Sequence, residues 1–464
     1  MLGLQFQLSE RSYGTICLAF TVFFLFADQN LLAPNLSAVA EDFGMSVEEK
    51  DKKLGGMLSV GFFIIAAPAA LIAGFLADKY PRTNLLGIVV LIGEVSCIAT
   101  YYVETYEQLL VLRVLTGIGV GGAIPIIYSL LADFYSEESR VLASSGIGIA
   151  CSAGTSFGQL FAGIFGPRIG WRLPFLINAI PALFCGALMF FTVSEPISNA
   201  GSIGESINVA KVKSLLSTPT VILAYLQGIP GCIPWGLLQT FYIDYLSTER
   251  GLTISHATFI LSLFGFGALI GQLFGGYIGQ FLFNRKPLYQ VILMGTSTML
   301  GVIPTLYMIN APGLGDDSNE NADINTLYMM SVLAGFFAAI TGPNIKMVLA
   351  NVSPPEIRGT AFAFFACTDD IGKGLGPFLV YNLIKTYNGD KAAAYDKAVT
   401  AWVACSVVLF LLVFCYERDV VKMRSRTNEL SRLLDKDEEQ GTMDTLLGND
   451  SDVIGSGLQR RTRK

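Results

Sequence analysis

The chain has 464 residues, of which 15% are charged and 52% hydrophobic, with 48 glycines and 32 phenylalanines. Set against the ~25% charge of an ordinary soluble domain, this composition excludes a string of water-soluble domains and describes a chain dissolved in lipid. A formal charge of -6, from 31 Lys+Arg against 37 Asp+Glu, excludes a polybasic nucleic-acid binder.

Twelve apolar stretches follow in order, at 12–34, 54–77, 84–103, 108–132, 141–166, 173–194, 220–246, 257–283, 288–309, 327–352, 359–384 and 394–416. Each has roughly the 20 residues a helix needs to cross a bilayer, and the runs are continuous rather than alternating, which excludes a β-barrel. The first ends on Asp28-Gln29-Asn30 with no small-residue cleavage site after it, so it reads as a retained helix rather than a signal peptide. The predicted fold is all-α, with twelve transmembrane helices in two pseudo-symmetric six-helix bundles.

The polar break 195–218 separates two near-equal halves, 12–194 and 219–416, a pattern expected of an internally duplicated transporter. Residues 1–11 form a short N-terminus. From 417 to 464 the composition turns polar, with Asp435-Lys436-Asp437-Glu438-Glu439, and predicts a largely disordered tail. The loops are balanced in Lys and Arg. Arg418, Lys422, Arg424 and Arg426, just after the last helix, tip both termini and the central linker toward the cytosol.

Motifs with a mechanism begin after helix 2, where Gly74, Asp78 and Arg82 follow a Gly-x3-Asp-x3-Arg spacing around a tight turn. Helix 4 opens with Arg113-x3-Gly117-x-Gly119-x-Gly121-Gly122 and closes at Asp133. Glycines at this spacing allow close helix contact, and a membrane-flank Arg must pair or snorkel.

In this order and six-plus-six setting, the motifs resemble those of the major facilitator superfamily, over about residues 12–416. The resemblance implies that Gly74, Asp78 and Arg82 lock the cytosolic face of the outward-open state, with Asp133 as the partner of Arg82. It also implies a helix-4 motif of Arg113, Gly117 and Gly119. The second half carries a degenerate copy, Gly275-Gly276-Tyr277-Ile278-Gly279-Gln280 then Arg285, with no acid, so an asymmetric latch is expected.

A closer resemblance is to the Spinster-like branch. It rests on Asp28, on Arg113 to Asp133, on Gly170-Trp171-Arg172, and on Gln227-Gly228-x2-Gly231-x2-Pro234-Trp235. That branch is associated with lysophospholipid or sphingolipid export, often proton-linked and lysosomal. Gln29, where the branch often has Arg, and Gly122, where it often has Glu, depart from the pattern.

Charge inside a membrane costs about 2.5–3.5 kcal/mol at the centre of a helix on insertion scales, so each such group needs a reason. Asp28 reads either as a proton or cation site or as a structural carboxyl paired with Arg113. On helix 11, Asp369 and Asp370 share Lys373 at i,i+4 and i,i+3, which suits a switching ion pair or a static bridge. Glu94 on helix 3 is a further coupling candidate or a buried packing contact. Lys346 reads as a snorkelling stem. On helix 7, Gly228, Pro230, Gly231 and Pro234 predict a broken, hinged segment, with Gln227, Trp235, Gln239 and Tyr242 near the substrate path. Tyr128 and Asn344 are weaker path candidates beside Pro125 and Pro343.

The eight cysteines all lie in apolar segments without metal-ligand spacing, and His256 is the single histidine. No metal or cofactor site, nucleophile–base pair or Gly-x4-Gly-Lys-Ser/Thr loop is present, so an enzyme is not expected. Glu429, Leu433 and Leu434 fit an acidic dileucine signal read by a sorting adaptor, although an amphipathic juxtamembrane helix explains the same residues. The expected activity is secondary transport by alternating access, with protons as the coupling ion. A lysophospholipid or similar amphipathic lipid is the first choice of solute, and a sugar or small organic anion the second. A non-transporting sensor or adaptor is the alternative class. Endosomal, lysosomal and plasma membranes all stand as locations.

Overall fold

A computed structural model describes residues 10–77, 80–135, 137–192, 213, 215–312, 324–354 and 358–426. Twelve long helical elements follow: α1 (Ser12–Asp42), α2 (Val47–Ala77), α3 (Arg82–Tyr102), α4 (Tyr106–Phe134), α5 (Glu137–Ile169), α6 (Leu173–Thr192), α7 (Pro219–Thr240), α8 (Ile254–Arg285), α9 (Pro287–Asn310), α10 (Ile324–Val352), α11 (Arg358–Thr386) and α12 (Lys391–Phe414). All but α11 are apolar and long enough by composition to cross a membrane. At 29 residues α11 has the length, but Asp369, Asp370 and Lys373 interrupt its apolar run. The fold is the expected all-α one, six helices and six. We call the face where α1 starts and α12 ends the terminal face, and its opposite the far face.

Start signals are local and satisfied. Ser46 with Glu49 and Thr105 with Gln108 form capping boxes ahead of α2 and α4, and Asp390 caps α12. Gly170 sits at φ +87, a conformation that costs glycine nothing, and turns the chain from α5 into Trp171-Arg172. That pair ties three helices together at the far face. Trp171 and Arg172 hold Asp42 at the end of α1, at 3.3 and 2.6 Å, and Arg172 also donates to the Val103 carbonyl beyond α3.

Within each bundle, helices meet backbone to backbone at four Gly-x3-Gly seams. Gly154 and Gly158 of α5 lie over the carbonyls of Phe23 and Ala27 in α1, and Gly117 and Gly121 of α4 over those of Phe62 and Ala66 in α2. The second half repeats the scheme, with Gly372 and Gly376 of α11 over Ile229 and Ile233 of α7, and Gly267 and Gly271 of α8 over Val332 and Phe336 of α10. At all eight positions an added Cβ would stand under 3.0 Å from the opposing oxygen. Lipid gives helices no hydrophobic reason to associate, so this close approach, with its dispersion and weak C–H···O contacts, supplies much of the cohesion. The two halves are thus related by the same contacts: α1/α5 matches α7/α11, and α2/α4 matches α8/α10.

Several spans are discontinuous. The regular helix of α1 ends at Gln29 and resumes as Ala33–Asn35 and Leu36–Asp42, and α7 gives way at Phe241 to a short helix, Tyr242–Thr248. The break predicted at Gly228-to-Pro234 is not where α7 breaks, since Pro219–Thr240 is one helix with Pro230 and Pro234 inside it. Neighbours support that stretch: Trp402 donates to the Gly231 carbonyl at 2.9 Å, and Gly228 makes room for the Asp369 carboxylate. The predicted signature at 429–434 and the acid Asp78 lie outside the described residues, as does most of 195–218.

A Cβ at position 121 must displace the Ala66 backbone, whereas one at position 74 meets only Pro125 at 3.8 Å. Gly121→Ala is expected to lower stability by about 1–3 kcal/mol through overpacking. Gly74→Ala should be neutral, or gain up to about 1 kcal/mol in helix propensity. Thermal unfolding of the two purified variants in one detergent compares them directly.

Candidate functional site

Interrupting α1 after Gln29 leaves its last carbonyls without partners inside the helix. The Asp28 carbonyl accepts from Arg113 Nη1 of α4 at 3.2 Å, while Nη2 reaches Thr100 Oγ1 at 3.4 Å. The expected Asp28–Arg113 pairing is therefore made through the Asp28 backbone. The Asp28 carboxylate instead takes the Asn178 amide of α6, which also donates to the Phe24 carbonyl. Glu94 of α3 closes the group, and carboxylate oxygens of Asp28 and Glu94 and the Cys97 thiol lie within 4.8 Å of one another. Asp28 and Glu94 are 0% exposed, and Arg113 and Asn178 2%.

This cluster is short of hydrogen bonds. Asp28 Oδ2, both oxygens of Glu94, Asn178 Oδ1 and Arg113 Nε have no partner among the described residues. A buried unpaired polar atom costs about 1–3 kcal/mol, so four such acceptors in one place set this group apart from the rest of the interior. The guanidinium also stacks over the Phe175 ring at 4.7 Å, which holds it against the carboxyl pair.

Arg113 has a second outlook. A cavity of about 60 Å³ lies between the bundles, lined by Gln29, Asn30, Phe62, Phe63 and Arg113 on one side and by Gly236, Gln239, Thr240 and Lys373 on the other. Each bundle places one cation on it. Lys373 is partly neutralised by Asp370 at 3.5 Å, and Asp369 turns away toward Gly228 of α7. Phe62 and Phe63 add an aromatic wall.

Above the cavity the far face is sealed by charge. Lys50 of α2 meets Asp244 of the short helix at 2.6 Å, with Ser37 of α1 bonded to both, and Lys391 of α12 reaches Asp51 at 3.9 Å and Glu249 at 3.2 Å. Lys50, Asp51, Asp244 and Lys391 are all buried. Lys50 and Asp51 open a π-helical stretch, Lys50–Met57, a distortion often found at functional positions. Ser255 Oγ donating to the Gly163 carbonyl at 3.1 Å closes the α5–α8 side.

The remaining predicted residues scatter. Gln239 lines the cavity, but Gln227 bonds Ala224 and Cys405 inside its own bundle, and Tyr242 is 0% exposed with its hydroxyl on the Met308 carbonyl. Trp235 packs against Phe264 at 5.1 Å. Asn344 is fully bonded between α8, α9 and α10, through Gly275, Ile340 and Gln290, whereas Tyr128 is exposed. Arg82 is buried and donates to Ser129 of α4 at 3.1 Å; the side chain of its expected partner Asp133 is outside the described set. Sequence reasoning missed Asn178, treated Cys97 as packing, and passed over Lys50, Asp51, Asp244 and Lys391. A far-face clustering of opposite charges near helix ends was the available signal.

Removing one partner of a buried pair strands the other charge at a cost of about 3–5 kcal/mol, while replacing both by apolar groups costs far less. Lys50→Met and Asp244→Leu should each depress the thermal midpoint, and the double variant should recover most of the loss. Additive effects would show the pair to be uncoupled.

Comparison with known proteins identifies the family and the fold. The family model described as "Major Facilitator Superfamily" matches residues 18–231 and again 231–433. A 3-(3-hydroxy-phenyl)propionate transporter of Escherichia coli is 24% identical over 416 residues, 87% of this chain and 95% of its own length. The cis,cis-muconate transport protein of Acinetobacter baylyi is 23% identical over 401 residues, 83% and 90% of the two chains. Among solved structures, a bacterial homolog of the human lysosomal transporter Spinster superposes with a TM-score of 0.71 at 18% identity, covering 90% of this chain and 98% of that one. The chain belongs to the Major Facilitator Superfamily and is a multi-pass membrane transporter of organic solutes, not an enzyme.

Proposed function

We propose that the protein carries an organic anion together with protons, by alternating access of the inter-bundle cavity. The observation that supports this reading is the double role of Arg113, which lines the cavity and backs onto the Asp28–Glu94 carboxyl pair. With both carboxyls ionised the cluster carries two negative charges against one guanidinium. A single added proton makes it neutral and lets one carboxyl donate to the other. A solute anion that engages Arg113 draws its charge away from the pair, which then favours the proton. Anion and proton are thereby bound together and released together. Beside an Arg, a proton restores neutrality where a multivalent metal would overshoot it.

The aromatic pair Phe62 and Phe63, with Arg113 and Lys373, suits a carboxylate on a compact apolar body. The relatives named for 3-(3-hydroxy-phenyl)propionate and cis,cis-muconate carry solutes of that kind. A lysophospholipid shares the anionic group but brings a long chain. Proteoliposome uptake of both kinds of solute separates them: 3-(3-hydroxyphenyl)propionate should be taken up faster with an acid-outside gradient, and lysophosphatidylcholine should not. Uptake of the lysolipid alone would reverse the order.

Arg113→Gln is expected to raise KM for the anion about 10- to 100-fold, the worth of a charge-assisted hydrogen bond. Glu94→Gln should abolish stimulation by the gradient while leaving counterflow exchange intact. Gradient-driven uptake that survives Glu94→Gln and Asp28→Asn would remove the pair from the coupling path.

A further inference from the structure

The terminal face of the second bundle carries a strip of cations that the transport reading does not use. Arg285 and Lys286 end α8, and Arg418, Lys422, Arg424 and Arg426 lie on the helix 416–426 that continues beyond α12. The two segments form one surface: Lys286 Nζ stands 4.0 Å from Glu417 Oε2, and the Arg424 guanidinium sits over the Phe283 ring of α8 at 5.7 Å. All six cations are exposed.

Two carboxylates share the strip, and one is committed elsewhere. Asp419 is 6% exposed; it caps α7 by accepting from the Thr220 amide at 3.2 Å and hydroxyl at 2.7 Å, and takes Arg418 Nε at 3.3 Å. Glu417 is half-exposed and faces Lys286. That cap also fixes the helix 416–426 against the bundle, so its cations are held rather than trailing. Four positive charges remain in excess.

Apolar side chains border the strip on the membrane side. Phe281, Tyr289, Val421 and Phe414 are 48%, 45%, 58% and 81% exposed. Groups of this kind belong in the acyl and interfacial layer, which sets the cations at headgroup depth. Several cations of the far face are engaged instead: Lys50 and Lys391 are buried in ion pairs, Arg172 holds Asp42, and Arg250 donates to the Ile309 and Ala311 carbonyls, while Lys52, Arg168, Lys385 and Lys397 are exposed there.

We propose that this strip docks the phosphate headgroups of anionic phospholipids and so clamps the α8–α9 turn to the extension of α12. A cation near a charged leaflet contributes about 1 kcal/mol, so its removal weakens the lipid about fivefold at low ionic strength. The occupant is a lipid because the strip runs along the apolar border, where a soluble anion would gain nothing from the neighbouring side chains.

The test is the thermal midpoint of the full-length protein in mixed micelles of detergent with either phosphatidylglycerol or phosphatidylcholine. Phosphatidylglycerol should raise the midpoint and phosphatidylcholine should not, and the difference should vanish at about 1 M salt, where the screening length is about 3 Å. Lys422→Gln with Arg426→Gln, two exposed positions with no packing role, should lose about 25-fold in phosphatidylglycerol affinity. The far-face control, Lys385→Gln with Lys397→Gln, should keep it. Equal shifts for both lipids, or an undiminished shift in the Lys422→Gln, Arg426→Gln protein, would overturn the proposal. So would a lipid effect that emerges only when Asp435, Asp437, Glu438 and Glu439 are neutralised, for then the strip would belong to the chain's own acidic run.

Discussion

Backbone contact through glycine is the constraint on which the other features rest. Four seams, two per bundle, bring helices so close that a methyl group would strike an opposing carbonyl. Contacts this close resist sliding of the helices within a bundle. The surface between bundles is where the cavity, the paired cations and the far-face charges are found. The seams on α5 and α11 also fix the two discontinuous helices, α1 and α7, whose broken ends border the cavity.

Resistance to sliding makes an underbonded charge cluster tolerable. Asp28, Glu94, Arg113 and Asn178 come from four helices, and in a soft bundle they would relax until every oxygen found a donor. Here several have no partner among the described residues. The far-face ion pairs that cross between the bundles work the other way, since they are satisfied only while the bundles meet there. Lys50–Asp244 and Lys391–Asp51 therefore favour the state closed on that side, and a transport cycle must exchange them for water.

Much of this was legible in the residues. Twelve apolar runs, the six-plus-six division and the helix-4 glycines lead directly to the fold, because hydropathy and small-residue spacing are local properties. The Gly-x3-Gly runs at 154–158, 267–271 and 372–376 were equally visible and were not used. Asp28 and Glu94 stand out because charge in a membrane is rare, yet their meeting is not written in either helix: it depends on the α1 break and on α3 crossing α4. Helix 7 misled for a physical reason. Two prolines in seven residues suggest a break, but Trp402 and the packing of α11 support that stretch, and the chain yields at Phe241 instead. Polar residues such as Gln227 and Asn344 likewise suggested a path, when each satisfies its own bundle.

The account turns on one solute anion and one proton sharing Arg113. The most direct measurement is the pH of a lightly buffered suspension of proteoliposomes as 3-(3-hydroxyphenyl)propionate is added without an imposed gradient. External alkalinisation that tracks uptake, and disappears in Glu94→Gln while exchange continues, is the predicted result. Uptake with no movement of protons in the unaltered protein would contradict the account and leave the buried carboxyls a structural role alone.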